Sequence, residues 1–335
     1  MSEALEWLLE PDAANPGVRY FALTDLLGRP HSDPEVHAAQ AAVMQSGPVP
    51  AILAAQNADG SWPGPKAGYA PKYRGTVWSV MFLAMLGADG RDARVRAACA
   101  HVLDHSRAPA PYGGFSVGAD PSGQIHCLAG NLAAACISLG WLGDVRLDQA
   151  IDWLARSIVG EGIAPAEEKD AQPRYYRSGN SGPGFACAAN AHQNCAWGAV
   201  KAMLALSKIP APQRTPVVQK AIAAGVEFLL SRDPAVADYP IPSYASKPSE
   251  SWFHFGYPLA YVTDVLQILE VLTALGYGND PRLAAALDLL RSTQDAQGRW
   301  LMKYSYYGMM WAKIETPHQP SKWVTLRAMR VLRTV

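Results

Sequence analysis

The chain has 335 residues, 49% hydrophobic and 17% charged, enough apolar material for a large core and too much for a disordered protein. Twenty-nine basic residues balance twenty-nine acidic ones, and their scatter excludes the electrostatic footprint of a nucleic-acid binder. No apolar run approaches the roughly 20 residues of a membrane span; the acidic start MSEALEWLLEPD and five cysteines, an odd number, are those expected of a cytoplasmic protein with reduced thiols.

In chain order, a short helix over SEALEWLLE (2–10) precedes the first of a series of apolar phrases. They read VRYFALTDLLG at 18–28, GTVWSVMFLAMLG at 75–87, GNLAAACISLG at 130–140, AWGAVKAMLALSKI at 196–209, YVTDVLQILEVLTALG at 261–276 and WVTLRAMRVLRTV at 323–335. A spacing of roughly 50–70 residues is that of helical-pair repeats. VWSVMFLAML is apolar all round, as a helix buried on every side must be. Between the phrases lie one-sided helices, DARVRAACAHVLDH (92–105), LDQAIDWLARSIV (147–159) and DPRLAAALDLLRSTQ (280–294), with Asp92, Asp280-Pro281 and Thr215-Pro216 as caps and first-turn prolines. The last phrase has no outer helix behind it and SEALEWLLE has no inner helix before it, so pairing the two closes a ring. The expected architecture is a single all-α domain over 1–335, an (α/α)6 toroid of six inner and six outer helices, without the strand alternation of a β domain.

Two further stretches share a frame. QNADGSW (56–62) and QDAQGRW (294–300) both read Gln-x-x-x-Gly-x-Trp, and each follows an outer helix. With the repeated inner helices, this resembles the terpenoid cyclase and protein prenyltransferase α-α toroid superfamily, more closely the single-domain bacterial prenyltransferase/squalene-cyclase repeat proteins, over about residues 18–335. The resemblance implies a toroid with an interior pocket open at one end, lined there by the loops that lead into the inner helices. It also implies an isoprenoid or similar apolar small-molecule substrate, and an isomerase or transferase activity: cyclisation, isomerisation or prenyl transfer, acid- or metal-assisted. Neither an Asp-x-Asp-Asp string nor an Asp-x-Cys pair occurs in the chain.

The lead-ins are KYRGTVW (72–78), IHCLAGN (125–131), AHQNCAW (191–197), FHFGYPLAYVTD (253–264) and MMWAKIETPHQPSKW (309–323), and they bring His126, His192, His254 and His318 to one rim. His126, Cys127, His192, Cys195 and His254 are ligand types that zinc prefers, so zinc is the cofactor they suit; capping and rim hydrogen bonds are the plainer fate. Nucleophilic catalysis has little support in the spacing, the candidate pairs being Cys195 with His126 or Cys127 with His192 across the rim. Asp264, a carboxylate among apolar residues, is the candidate general acid, with Asp25 behind it; the alternative for each is a helix cap or an arginine partner, Arg74 or Arg327. On the acid reading, Asp264→Asn abolishes turnover and leaves the melting temperature nearly unchanged.

Arg74 is the candidate for an anionic head group, with Lys313 and Lys322 nearby. Trp78, Trp197, Tyr257, Tyr261 and Trp311 are candidates to present aromatic faces to substrate, and Asn131 and His254 complete the binding set. The glycine-rich stretch 177–190 reads as a loop over the mouth. Two other readings stand beside the isoprenoid one. A carbohydrate-acting (α/α)6 enzyme would use Asp264 and Glu315 as its carboxylates, and a toroid that binds a small molecule or a protein without catalysis needs neither.

Overall fold

Burial separates the helices into two classes, as the alternation of fully apolar and one-sided segments requires. The computed structural model describes residues 2–109, 112–116, 124–161, 181–242, 245–306 and 308–335. Its first helices are α1 (Glu3–Leu9), α2 (Pro16–Phe21) running into a π turn (Ala22–Leu26), α3 (Pro34–Gln45), α4 (Pro48–Ala54), α5 (Thr76–Met85) and α6 (Ala93–His105). There follow α7 (His126–Ser138), α8 (Val145–Val159), α9 (Ala196–Ser207), α10 (Pro216–Leu230), α11 (Val265–Ala274), α12 (Ala284–Ser292) and α13 (Lys322–Leu332). Every residue of α5 from Thr76 to Ala84, and of α7 from His126 to Cys136, is buried. By contrast α8 buries a stripe of Leu147, Ile151, Leu154 and Ile158, one face of a helix at a spacing of three and four.

The buried class forms a ring: α5 packs on α7, α7 on α9, α9 on α11, α11 on α13 and α13 on α2. The ring closes where α2 meets the end of α5. There a Cβ added to Gly17 would lie 2.3 Å from the Leu86 carbonyl oxygen, so the approach needs a residue without a side chain. The one-sided helices lie outside, each beside its inner partner, and α1 rests on α13, joining the two ends of the chain as expected. The result is an all-α toroid. The paired strands among the described residues are the two-residue β1 (Trp300–Leu301) and β2 (Pro320–Ser321), and no described helix is long and apolar enough to cross a membrane.

The two Gln-x-x-x-Gly-x-Trp turns are built alike. Trp62 donates its indole N–H to the Ile52 carbonyl of α4 (2.8 Å) and its backbone N–H to Thr76 Oγ1 of α5 (3.0 Å). Trp300 donates in the same way to the Leu290 carbonyl of α12 (2.9 Å) and to Thr325 Oγ1 of α13 (3.0 Å). Each indole therefore satisfies a carbonyl in the last turn of an outer helix while its backbone is held by the next inner helix. Gln56 extends the first link to the Arg94 carbonyl of α6 (2.9 Å).

One inner helix departs from its expected form. VRYFALTDLLG reads as a regular helix, but the chain widens into the π turn at Ala22–Leu26, where Thr24 Oγ1 donates back to the Tyr20 carbonyl (3.2 Å). Single π turns inside helices are frequent at functional sites.

Candidate functional site

The lead-in end of the ring, expected to be the opening, is filled with aromatic rings. Trp78 is fully buried, donates its indole N–H to the Tyr69 carbonyl (2.7 Å) and meets Tyr73 and Tyr261 edge-on at 5.0 and 5.1 Å. Tyr306 packs on Tyr73 at 4.4 Å, and the Lys72 ammonium lies over the Tyr73 and Tyr261 rings. Arg74 and Trp311 latch this plug shut: the guanidinium donates to the Met309 carbonyl (3.1 Å) and the indole N–H to the Arg74 carbonyl (2.9 Å).

The opening is at the opposite end. A cavity of about 500 Å³ lies among the C-terminal halves of the inner helices, a volume within the usual range for a small-molecule site. Met81 and Met85 of α5, Ala134 and Ala135 of α7, Leu204 of α9 and Val271 of α11 supply its apolar wall. Tyr20, Phe21, Thr24 and Asp25 of the π-turn helix close one side, and Tyr257 another. The Tyr257 ring is fixed on both edges, stacked on Trp323 at 4.4 Å and donating its O–H to the Met85 carbonyl.

The polar part of the wall is organised by arginine. Arg327 of α13, 2% exposed, spends every N–H of its guanidinium. Two go to Asp264 (2.9 Å each), one to the Gly256 carbonyl (2.8 Å), and the remaining two to Glu270 (2.6 and 3.0 Å). Burial alone would lower the guanidinium pKa, but the Asp264 and Glu270 carboxylates beside it hold it above its usual value. Asp264 meanwhile caps α11, accepting the Gln267 N–H at 2.8 Å. The structural alternative for Asp264 is thus the one the geometry supports. It is a cap and an arginine partner, 0% exposed and off the cavity wall. Glu270 is the member of the network that reaches the cavity. Nearer the mouth Asp25 pairs with Arg330 (2.5 Å), which lies over the Phe21 ring at 4.8 Å.

Behind the wall Lys201 of α9 is fully buried, donating to Gln267 Oε1 (2.5 Å) and the Val262 carbonyl (3.0 Å). Burial pushes its pKa down to about 7 from 10.5. Between those values the unfolded chain carries a proton that the folded one lacks, so this group makes stability rise with pH across that window, by at most about 1.4 kcal/mol per unit. Lys201→Met is expected to flatten the rise, read as the difference between urea midpoints at pH 7 and pH 9. An unchanged difference would show that Lys201 stays charged.

The other expected site residues do not meet at one place. His126, 4% exposed, shares a hydrogen bond between Nε2 and Ser157 Oγ (2.9 Å), and burial lowers its pKa to about 4. The thiol of Cys127 touches that of Cys195, which also touches Cys187; the Cys127 contact and burial push Cys195 up to about 12, against the lowering effect of Cys187, far from a thiolate. His192 is exposed, and His254 ends a short turn after Phe253. No three His, Cys, Asp or Glu side chains among the described residues are arranged to hold a metal, so this set does not fit zinc. Trp197 packs edge-on to Trp252 at 6.4 Å, and Lys322 pairs with Asp12 at 3.4 Å. Glu315 accepts from the Lys322 N–H at 2.9 Å and from the Ser321 hydroxyl, and Asp264 is held by Arg327, so both carboxylates of the carbohydrate reading are engaged within the fold and neither lines the cavity. The residues 177–180 of the glycine-rich stretch lie outside the described residues, and its remainder packs by Phe185 against His126 at the lead-in end, away from the mouth. Of the binding set, Asn131 and Tyr257 stand on the cavity wall and Arg74, Trp78, Trp197, His254, Tyr261, Trp311 and Lys322 do not.

No family model matches the chain, and no curated protein matches it. Among solved structures it is similar to the type II terpene cyclase MstE from Scytonema, at 17% identity and a TM-score of 0.46, covering 96% of this chain and 87% of that one. A variant of the same cyclase in complex with geranylgeranyl dihydroxybenzoate is similar at 15% identity and a TM-score of 0.46, covering 96% and 85%.

Sequence reasoning passed over the residues that line the cavity's polar side: Thr24, Lys208, Gln267, Glu270 and Arg330. A signal for several was present. Gln267 and Glu270 in α11, and Arg327 and Arg330 in α13, are polar pairs three residues apart inside otherwise buried helices, a spacing that puts both members of a pair on one face.

Proposed function

We propose that the protein takes up an isoprenoid or similarly apolar small molecule in the central cavity and converts it as a terpenoid-cyclase-like enzyme. The observation that carries this reading is the wall itself. Methionine, leucine, valine and alanine side chains line about 500 Å³, with Glu270, Lys208, Arg327 and the Asp25–Arg330 pair on its polar side. A hydrocarbon chain entering such a space gains about 25 cal/mol per Å² of apolar surface removed from water. The rings of Tyr20 and Tyr257 on the wall suit stabilisation of positive charge developing on it, by about 0.5–2 kcal/mol each, while Phe21 already carries the Arg330 guanidinium over its ring. Glu270, the carboxylate of the network that reaches the cavity, suits the role of a base that removes a proton.

The test is incubation with farnesol and farnesyl diphosphate followed by mass-spectrometric product analysis, with Glu270→Gln beside the natural chain. The expected result is a product whose rate of formation falls by about 10²–10⁴ in the variant, with binding of the same compounds kept within a few fold. Failure of the natural chain to bind either compound overturns the reading. A second reading, binding without turnover, is favoured by the commitment of both wall carboxylates to arginines; tight binding without product selects it.

A further inference from the structure

Two carboxamides on the cavity wall each leave one polar end without a protein partner. Asn131 lies in the middle of α7, 1% exposed, and its Nδ2 donates to the Ala260 carbonyl at 3.0 Å. A carbonyl oxygen only accepts, so this bond fixes which end of the carboxamide is which, and Asn131 Oδ1 is left as a buried acceptor without a partner. Gln267 on α11, 5% exposed, is oriented in the opposite sense. Its Oε1 accepts from Lys201 Nζ (2.5 Å) and from Thr263 Oγ1 (2.7 Å), which leaves the Nε2 donor as its free end. Both side chains line the same cavity. A buried acceptor with nothing to accept costs free energy in the empty protein, which a ligand's donor restores.

We infer that the ligand carries a neutral hydroxyl head, which donates to Asn131 Oδ1 and accepts from Gln267 Nε2; the substrate class is an isoprenoid alcohol. This rests on the reading of the cavity as an isoprenoid site and narrows it. A hydroxyl is the smallest group that is donor and acceptor at once. An ether or a ketone only accepts and leaves Asn131 unmet; a diphosphate is an acceptor carrying charge, for which neither carboxamide is a counter-ion. The apolar side chains Ala134, Ala135 and Val271 on the same wall take the tail.

The test is equilibrium binding of farnesol, farnesyl methyl ether and farnesyl diphosphate to the natural chain and to Asn131→Leu. The natural chain is expected to bind the alcohol about tenfold or more tighter than the ether, and no more weakly than the diphosphate. In Asn131→Leu the preference for alcohol over ether shrinks to within about twofold, with ether binding kept. Equal binding of alcohol and ether by the natural chain, a marked preference for the diphosphate, or a preference for alcohol that survives in the variant overturns the hydroxyl assignment and leaves the isoprenoid site standing. Failure of all three compounds to bind overturns both. Should Asn131→Leu not fold, the comparison of alcohol with ether on the natural chain decides alone.

Discussion

Arg327→Met is expected to lower the stability of the folded protein by about 3–5 kcal/mol, because it leaves the fully buried Asp264 and the partly buried Glu270 without their cation. Asp264 is 0% exposed and would keep only the Gly256 and Gln267 N–H groups, while Glu270 would lose its partner altogether. Urea unfolding followed by circular dichroism measures the loss, and a change under about 1 kcal/mol would show that the network contributes little. Asp264→Asn tests the same network from the other side. Asparagine still caps α11, but Arg327 is then opposed by Glu270 alone, so the variant should be clearly less stable than the natural chain. This reverses the expectation from sequence that the substitution would spare the melting temperature. What looked like an acid poised for chemistry is an anchor between α11, α13 and the 256–264 segment.

Trp300→Ala is the second large loss, again about 3–5 kcal/mol, from the cavity it opens and the two hydrogen bonds it breaks or loosens. The indole is 1% exposed and joins α12 to the start of α13. Trp62→Ala should cost about as much, since its bonds to Ile52 and Thr76 repeat the arrangement. Thr325→Val, which removes only the acceptor for the Trp300 backbone, should cost about 1 kcal/mol. Denaturant midpoints for the three variants check the order, and a Thr325 variant as unstable as the tryptophan one would mean that the backbone bond, not the packed ring, holds the turn.

The ring was legible in the sequence because its cause is local and repeated. An all-apolar helix has to be buried on every side, a one-sided helix has to lie against it, and VWSVMFLAML and LDQAIDWLARSIV state those two requirements without ambiguity. The tryptophan turns were legible for the same reason, each spanning a few residues between neighbouring helices. Which end of the ring is open was not legible. It depends on Tyr69, Tyr73, Tyr261 and Tyr306, residues far apart in the chain that meet at the lead-in end and fill it. The histidines and cysteines of the lead-ins drew attention because their chemistry is versatile, yet His126 Nε2 is bonded to Ser157 and the thiols touch one another. The π turn was hidden too, since VRYFALTDLLG carries no breaker and Thr24 bonds back to Tyr20 only in the folded helix. The polar side of the cavity could have been found by asking which charged residues recur at helical spacing within the inner helices.

The most direct measurement of the central claim is a crystal structure of the protein grown with geranylgeraniol. The account predicts electron density for the chain in the cavity between Phe21, Met81, Leu204 and Tyr257, with the aromatic plug around Trp78 unchanged. Density at the lead-in end instead, with that plug displaced, or an empty cavity at saturating ligand, would contradict it.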